Sequence, residues 1–596
     1  MVGSSAMSFF VCSIIIPLFF SFVYDTIQYH KGGTMEKLQK DHPYLTVTIT
    51  CILLFFFGFC RKKNLSFGSY VYADFLSLLF LALISFRLNP FGERKKNCLF
   101  FFLTSAYVTG SFLLTYLLHN QVTILLWAFL LLLLAITAAL KKNGTLTMHH
   151  IVLFLLALGI AFRFVYVLYT GSTIRQHDMG DWLGIEGHST YIEYWYKNGL
   201  KLPDFDVRKI FQFYQPPLHH ILMALMLKLL TNFGMEYRRA CEAIQFLPFL
   251  YSSLSLVVCL RIFRWMKLDG IPLLTSFALI CFYPTLIIHS GYYNNDGLAI
   301  LFMLLTILLA LKWHRDPTLK RILPLALTIG LGMMTKLSAW MMAPGVAFLF
   351  LSRFLESSSP KLRLIKQFSI FGIISFPLGL WWPVRNFLLF GVPLTYIPSL
   401  GRKSPQYCGD ISKLRRIFDF GSGRLKYVYS AYTQHGAPFN DFNPGLSLVK
   451  TSFFDEQVSE VIFPSIKYTG PCLFALGICM CFLCTISFCV ITLRKNRAID
   501  KVTRYFFLIH AIVLLAFYYL FCFKYPFVCT MNIRYVIPLI PLFALGQGLC
   551  MQESSGKKGL SKLWKTASLV LTILFCLASC IVYTQVGVYK PIYTNL

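Results

Sequence analysis

The chain has 596 residues, of which 57% are hydrophobic and only 13% are charged, and its mean hydropathy is +0.63. In a soluble domain about a quarter of the residues are charged, so this composition excludes an ordinary soluble protein. Apolar runs long enough to cross roughly 30 Å of hydrocarbon recur along the chain. They are unbroken, which excludes a β-barrel, whose strands alternate lipid-facing and lumen-facing residues. The sequence therefore predicts an all-α, polytopic transmembrane protein.

The net charge of +30 indicates membrane topology and not a nucleic-acid partner. The basic residues cluster in short stretches between apolar runs, such as 261–267 and 312–321. Under the positive-inside rule such stretches are cytoplasmic loops. The eighteen cysteines lie mostly in apolar runs, where cysteine behaves as a small hydrophobic residue. Cys408 and Cys529 lie outside these runs and are the two that could pair.

We predict about sixteen spans. Five precede residue 148, a sixth covers 151–170, and the others follow a long polar segment, 171–242. In chain order the predicted spans are 7–24, 44–60, 67–86, 98–118, 122–140, 151–170, 243–260, 271–288, 297–311, 322–334, 337–353, 368–384, 471–493, 502–522, 535–550 and 566–585. We accordingly expect four parts: an N-terminal transmembrane extension (1–148), a catalytic membrane module (149–384), an extracytoplasmic loop (385–470) and C-terminal transmembrane helices (471–596).

Loop charges orient the predicted spans. Placing Lys141 and Lys142 in the cytoplasm sends the sixth span outward, so residues 175–196 face the extracytoplasmic side. The apolar stretch "PPLHHILMALMLKLL" (216–230) would leave the later basic loops outside if it crossed. We therefore interpret it as an amphipathic helix on the outer surface, with His219 and His220 as surface residues.

This topology brings polar side chains from distant segments to one side of the membrane. The stretch "RQHDMGDWLGIEGHSTYIEYWY" (175–196) alone carries four acids and two histidines. Asp178 and Asp181 would share a face if the segment were helical, and each could be catalytic or an ordinary loop cap. The side chains of His177, Asp178, Glu186 and Asp296 are of types that bind a divalent metal. No HExxH spacing supports a metal, so no cofactor is certain and a divalent metal stays an alternative.

Three arginines are candidates for phosphate contact. Arg163 lies within the sixth span, seven residues before its predicted outer end, where both snorkelling and a functional role are open. Arg385 follows "WWP", and Arg534 precedes an apolar run. Either could be a residue of the aromatic belt or a ligand of a phosphate, and Arg534 is the better candidate.

The order of several motifs resembles the membrane-embedded type C glycosyltransferases. An acidic first outer loop is followed by "YQPPL" (214–218), "YNNDG" (293–297), "GLGMMTKLSAW" (330–340), "WWPVRNFLLFGVPL" (381–394) and a late "RY…PL" helix. Within that class the chain is most similar to the group of protein O-mannosyltransferases, lipid A aminoarabinose transferases and bacterial transferases that use polyprenyl-phosphate sugars. The resemblance covers residues 150–550.

The resemblance implies a type C core with a long first outer loop that contains interfacial helices. It implies that Asp178 of "QHD" is catalytic and that Asp296 is a companion acid. Gln215 stands where aminoarabinose transferases have a basic residue, which puts a phosphate contact there in doubt. The remaining candidates for substrate contact are Arg163, Arg175, Asp181, Tyr214, Gln215, Lys336, Arg385 and Arg534.

The function that the resemblance implies is inverting transfer of a sugar from a polyprenyl-phosphate donor. The acceptor would be a hydroxyl of a glycan, lipid or protein on the extracytoplasmic side of a bacterial plasma membrane, or of the endoplasmic reticulum membrane in a eukaryote. Phosphate is a good leaving group, so one carboxylate base, Asp178, would suffice. A transporter or flippase of a lipid-linked sugar is the alternative, although such proteins tend to carry inverted repeats, which this sequence does not show.

Overall fold

The computed structural model describes residues 143–182, 184–356, 360–430, 438–494, 499–554 and 559–586, with scattered positions between 82 and 140. The five predicted N-terminal spans therefore lie outside the described residues, apart from those positions. Throughout the described ranges the regular structure is helical, and the one β-bridge found there joins Tyr407 to Phe527. The all-α prediction is confirmed for this part of the chain.

The helices differ widely in length. They are α1 (Met148–Tyr169), α2 (His188–Lys197), α3 (Leu218–Asn232), α4 (Tyr237–Ala243), α5 (Phe246–Trp265), α6 (Gly270–Phe282), α7 (Pro284–Ile288), α8 (Asp296–Arg315), α9 (Leu319–Thr335), α10 (Ala343–Leu355), α11 (Lys361–Phe390), α12 (Lys413–Phe418), α13 (Ser422–Lys426), α14 (Pro444–Phe454), α15 (Thr469–Leu493), α16 (Lys501–Lys524), α17 (Leu539–Glu553) and α18 (Leu560–Gln585). Short 3₁₀ turns cover Leu337–Met342, Pro464–Ile466, Val528–Thr530 and Ile533–Tyr535.

Eight helical segments of the described chain are long and apolar enough to cross a membrane, or nine if a pair bent by 49° counts as one span. They are Met148–Tyr169, Tyr237–Trp265, Asp296–Arg315, Leu337–Leu355, Lys361–Phe390, Thr469–Leu493, Lys501–Lys524 and Leu560–Gln585, with the bent pair Val528–Tyr535 and Leu539–Glu553. The predicted spans at 271–288 and 322–334 form helices of 13 and 17 residues, below the roughly 20 residues of a typical crossing. The chain is thus an integral membrane protein by this criterion, and the count of sixteen stays a prediction.

The chain divides into two compact units. Unit 1 comprises Met1–Phe213 and Leu218–Ser253, and unit 2 comprises Tyr214–Pro217 and Leu254–Leu596. The four parts predicted from the sequence stay a prediction. The described residues of the predicted loop, 385–430 and 438–470, belong to unit 2 together with the long helices before and after them.

In unit 1, α3 packs against α2, and this corrects the expectation of surface histidines. His219 and His220 are fully buried. The ring of Tyr191 on α2 lies 4.3 Å from that of His220, and Tyr251 covers His219 at 6.0 Å. The exposed edge of α3 lies instead near its C-terminus, at Leu229. This 15-residue helix packs on both sides, so only a short edge remains for a membrane interface. Its contacts with neighbouring helices, and not its amphipathic pattern, decide which of its residues are exposed.

In unit 2, the helices α8 and α9 are joined by the three residues 316–318 and run antiparallel. The start of α8 and the end of α9 consequently lie at the same end of the pair. Glycines let α9 approach α11 closely, because a Cβ at Gly330 would lie 2.8 Å from Leu378 Cβ. Gly379 repeats the arrangement against Met333. Small residues at such crossings are typical of membrane helices.

Candidate active site

The end of the α8–α9 pair carries an ion pair between a buried acid and a partly buried lysine. Asp296 is the first residue of α8 and is only 4% exposed, and Lys336 follows the last residue of α9. The Lys336 ammonium donates to the Asp296 carboxylate. A carboxylate is favoured at a helix N-terminus, and a buried charge requires such a partner. The structure therefore brings together an acid and a base that are 40 residues apart in sequence.

Arg534 adds a second cation to this group. It lies in the 3₁₀ turn Ile533–Tyr535, whose first amide groups are capped by Asn532, because Asn532 Oδ1 accepts from Arg534 N at 2.9 Å. The guanidinium donates to Tyr535 Oη at 3.0 Å, and Lys336 Nζ lies 5.4 Å from the centre of the Tyr535 ring. The Arg534 charge also acts on the Asp296 carboxylate. Two cations and one carboxylate thus surround one tyrosine.

The "YQPPL" element reaches the same group through amide side chains. Asn295 Nδ2 donates to the Thr335 carbonyl at 2.8 Å and to Gln215 Oε1 at 3.3 Å. Gln215 Nε2 in turn donates to Tyr214 Oη at 2.9 Å, and the Tyr214 ring meets Tyr396 edge-on at 5.8 Å. Gln215 contributes hydrogen-bonding capacity here and no charge.

A pair of adjacent acids, Asp455 and Glu456, was missed at the sequence level. Both are buried, and Asp455 has φ +49°, a strained backbone angle of the kind that clusters at functional sites. Asn532 Nδ2 donates to Asp455 Oδ1 at 2.7 Å and to Glu456 Oε1 at 2.8 Å, while Tyr292 donates its hydroxyl to Asp455 Oδ2.

These contacts tie the acidic pair to the two segments that carry Asp296 and Arg534. One carboxylate oxygen of each acid lies within 4.8 Å of the other, so the pair could supply two oxygen ligands to a divalent cation. The one sequence signal was "DE" directly after an apolar helix in a chain with only 25 acids.

In unit 1, Asp178 lies in a tight loop and not on a helix. The described residues of this loop, 175–182 and 184–187, contain no helical turn, so Asp178 and Asp181 do not share a helix face. The loop closes tightly at Gly180, where φ is +66° and a Cβ would lie 2.2 Å from the Ile185 carbonyl oxygen. Asp178 is exposed and has φ +51°. Its carbonyl accepts from His188 N at 2.9 Å, which anchors the loop to the start of α2.

Two other acids of this loop accept hydrogen bonds from backbone amides. Asp181 Oδ1 accepts from Ile185 N at 2.8 Å, and Glu186 Oε2 accepts from Phe211 N at 2.9 Å. His177 is buried. Asp296, the fourth member of the predicted metal set, belongs to unit 2. The metal set of His177, Asp178, Glu186 and Asp296 therefore stays a prediction. To bind an ion, Glu186 would have to give up its hydrogen bond from the Phe211 amide.

Arg163 and Arg175 both bind backbone carbonyls of α1. Arg163 is fully buried, and it donates to Ser252 Oγ and to the Gly159 carbonyl, both at 2.9 Å. Gly159 lies one turn further from the Tyr169 end, so snorkelling towards that end is wrong as an interpretation of Arg163. Arg175 donates to the Tyr169 carbonyl at 2.8 Å, and its guanidinium lies 5.0 Å from the centre of the Tyr166 ring.

Arg385 lies within α11, which continues to Phe390, so the loop predicted to begin at residue 385 begins after the helix ends. Its guanidinium donates to Asn386 Oδ1 at 2.8 Å and lies 5.2 Å from the Trp382 ring centre and 5.5 Å from that of Phe390. These are the contacts of an arginine in an aromatic belt. No disulfide joins Cys408 to Cys529, both of which lie among the described residues.

A pair of buried histidines, His188 and His220, supports the loop of Asp178. His188 Nδ1 and His220 Nε2 are 2.8 Å apart, and the two rings are nearly parallel, with their centres 5.1 Å apart. Burial lowers the pKa of His220 well below its ordinary value of 6.5, and the charges of His188 and His219 lower this pKa further. The contact between the two rings holds His188, the first residue of α2, whose backbone amide donates to the Asp178 carbonyl.

Comparison with known proteins gave matches only among solved structures, because no family model and no curated protein matches the chain. The chain is similar to the oligosaccharyltransferase of Archaeoglobus fulgidus tethered to an acceptor peptide containing the NVT sequon, with a TM-score of 0.41 and 13% identity over 74% of this chain and 55% of that one. It is also similar to ArnT from Cupriavidus metallidurans in the apo state, with a TM-score of 0.34 and 14% identity over 73% of this chain and 76% of that one.

Both are type C glycosyltransferases, the class that the motifs of this sequence resemble. This chain spans little more than half the length of the oligosaccharyltransferase.

Proposed function

We propose that the chain is a membrane glycosyltransferase that moves a sugar from a polyprenyl-phosphate donor to an acceptor hydroxyl. The observation that supports this most directly is the group of Asp296, Lys336 and Arg534 in unit 2. Two cations at the ends of apolar helices suit a lipid whose phosphate lies at the membrane boundary while its tail stays in hydrocarbon.

The proposed chemistry is an in-line displacement at the anomeric carbon. The acceptor oxygen forms a bond to that carbon while the bond to the phosphate oxygen breaks, which inverts the configuration. Asp178 takes the proton of the acceptor hydroxyl, and its exposed side chain suits this role. Lys336 and Arg534 stabilise the negative charge that develops on the departing phosphate. No general acid is needed, because phosphate leaves without protonation.

Asp455 and Glu456 would hold a divalent cation if the reaction uses one. Their oxygens suit Mg²⁺ or Mn²⁺ better than a soft metal. Such an ion would add positive charge near the phosphate. A requirement for metal would appear as inactivation by a chelator and recovery on adding Mg²⁺ or Mn²⁺.

The test uses purified protein in lipid nanodiscs with a radiolabelled polyprenyl-phosphate sugar and a mixture of acceptor glycans, lipids and peptides. We expect polyprenyl phosphate to be released together with labelled product. The same protein in liposomes should not move the intact donor between leaflets faster than protein-free liposomes. Transbilayer movement without cleavage of the sugar–phosphate bond would overturn the proposal in favour of a flippase.

Variants connect the activity to the site. Lys336→Gln and Arg534→Ala should each weaken donor binding, whereas Arg363→Ala should not. Arg363 is exposed in the first turn of α11. That turn lies near the α8–α9 connection, since Gln367 on the next turn donates to the Pro317 carbonyl at 3.1 Å, at the opposite end from Asp296. Equal effects of all three variants would count against a phosphate site at Arg534.

A further inference from the structure

The short helix α12 exposes its apolar side chains and buries a charged one, the reverse of what is expected for a helix in an aqueous loop. Leu414 and Phe418 are 71% and 70% exposed. They are four residues apart and so share one face. Arg416 lies on the opposite face and is only 2% exposed. Exposing two large apolar side chains while burying an arginine is unfavourable in water, which indicates that the outward face does not meet water.

Arg416 fixes this orientation. Its Nε donates to the Phe442 carbonyl at 3.2 Å, and its Nη2 donates to the Cys522 carbonyl at 3.0 Å. The guanidinium also lies 5.3 Å from the centre of the Phe523 ring. Hydrogen bonds from a charged group to buried carbonyls are among the stronger ones in proteins. Rotating α12 to hide Leu414 and Phe418 would break both of these hydrogen bonds.

The contact with Cys522 also places α12 at a membrane boundary. Cys522 lies two residues before the end of α16, a helix long and apolar enough to span. At 1.5 Å per residue it is about 3 Å from that end along the axis. Leu520, two residues before Cys522 on α16, is itself 62% exposed, as expected for a lipid-facing side chain. The helix α12 therefore lies beside the end of a helix that is long and apolar enough to span a membrane.

The charges around α12 match an anionic surface. Arg415 pairs with Asp419 at 3.1 Å. Because the Arg415 side chain is exposed to its surroundings, this ion pair neutralises its charge only in part. The exposed cations of this stretch outnumber its two acids, Asp410 and Asp419: they are Arg402, Lys403, Lys413, Arg415 and Lys426. Apolar side chains rimmed by lysine and arginine are the pattern of interfacial membrane binding.

We propose that residues 413–426, the interfacial segment, lie on the bilayer surface beside the end of α16. Leu414 and Phe418 insert among the acyl chains, and Lys413 and Arg415 contact anionic phospholipid headgroups. The segment thereby fixes the end of α16 at the interface. This role is independent of the chemistry proposed for the site.

The test places the photoreactive residue p-benzoylphenylalanine at position 414 or 418 by amber suppression. The protein is reconstituted in nanodiscs of phosphatidylcholine and phosphatidylglycerol, irradiated, and analysed by mass spectrometry. We expect phospholipid adducts at both positions, with a yield like that of the same residue at Leu388, which is 74% exposed near the end of α11. Asp204, whose side chain is 78% exposed in a polar loop, serves as the negative control.

The headgroup of the adduct tests the charge. Phosphatidylglycerol should be enriched in the adducts at position 418 relative to its share of the bilayer. A Lys413→Gln and Arg415→Gln double variant should bring the ratio back to that share, since each cation near an anionic surface contributes roughly a fivefold preference. An unenriched ratio in the native chain would overturn the anionic part of the proposal. Adducts at Leu388 without adducts at 414 and 418, or cross-links to a second copy of the chain, would overturn the whole.

Discussion

Asp178 combines an exposed carboxylate with a backbone angle that few residues accept. With φ +51° it lies in the left-handed region, which Asp and Asn adopt more readily than most other residues. Replacement by asparagine therefore keeps the backbone and the shape of the side chain, and removes only the capacity to take a proton. This makes Asp178→Asn the substitution that separates chemistry from structure.

We expect Asp178→Asn to lower turnover by about 10²–10⁴-fold, the usual contribution of a positioned general base. Donor binding and the unfolding temperature should stay close to those of the native protein. The measurement is the initial rate of polyprenyl-phosphate release, with Asp204→Asn as an exposed acid that should change nothing. Retention of more than about a tenth of the native rate would move the role of the base to Asp296.

Arg534 should matter for the donor and not for the acceptor. A hydrogen bond to a charged group is worth about 1.5–3 kcal/mol, so Arg534→Ala should raise the dissociation constant of the donor by roughly 10–150-fold. Arg385→Ala should have the smaller effect, because Arg385 stacks on aromatic rings of its own helix. Equilibrium binding of labelled donor measures both. An unchanged constant in both variants would place the phosphate elsewhere, with Arg163 and Arg175 the next to test.

At the residue scale the sequence indicated the members of the unit 2 group but not their bonds. Asp296, Lys336 and Arg534 could be selected because charged residues are rare next to apolar runs. Asp455 and Glu456 could not, because the sequence "DE" after a short apolar stretch does not distinguish two loop acids from two buried ones. Their burial depends on Tyr292 and Asn532, which are 163 and 77 residues away from Asp455. Long-range partners of this kind leave no periodic signal.

At the element scale, the loop of Asp178 depends on α2 and α3 through the His188–His220 pair. The pKa of His220 is below its ordinary value, so the folded state favours neutral histidine. The unfolded chain takes up a proton near pH 6.5 and the folded chain does so only at lower pH. The unfolded state thus binds more protons below pH 6.5, and stability falls as the pH falls.

We therefore expect the apparent unfolding temperature to decrease as the pH is lowered from about 7 to 5. His220→Gln keeps one hydrogen bond to His188 but cannot be protonated, so it should flatten this dependence. Thermal unfolding in one detergent at one heating rate gives both curves. Parallel curves for the native chain and the variant would show that His220 does not cause the acid sensitivity.

The helix α14, which ends next to Asp455, is fixed by a second buried pair. Lys450 Nζ lies 3.1 Å from Asp441 Oδ2, and both side chains are buried. Burial raises the pKa of Asp441 and lowers the pKa of Lys450, while each partner's charge opposes the shift. The pair therefore holds its charges only because the two are together, and the loss of one leaves the other uncompensated.

Lys450→Met alone should destabilise the protein by about 3–5 kcal/mol, whereas adding Asp441→Leu to it should recover most of that loss. The unfolding temperatures of the single and double variants, measured with the same detergent and heating rate, test this. Arg415→Met, which removes an exposed partner of Asp419, is the matched control and should cost at most about 1 kcal/mol. A double variant no more stable than the single one would show that the pair is not what fixes α14.

At the scale of the whole molecule, apolar runs and loop charges predicted most of the long helices between 148 and 585 to within a few residues. These sequence signals gave wrong predictions where tertiary packing determines which residues are buried and where a helix ends. The stretch 216–230 contains histidines that look solvated in sequence, and tertiary contacts with Tyr191 and Tyr251 bury them. They also ended α11 at residue 384, because Arg385 interrupts the apolar run, although the helix continues to Phe390.

The membrane orientation is the remaining prediction on which every proposed site depends. Loop charges place the loop of Asp178 outside and the α8–α9 connection in the cytoplasm. Ile185 is 67% exposed, which suits a reporter cysteine in that loop. Ile185→Cys should react with a membrane-impermeant maleimide in intact cells. Lys320→Cys, exposed at the start of α9, should react only after the membrane is permeabilised. The native chain, with its own cysteines, supplies the background for both. Reversed labelling at either position would invert the orientation and place the proposed transfer on the cytoplasmic side.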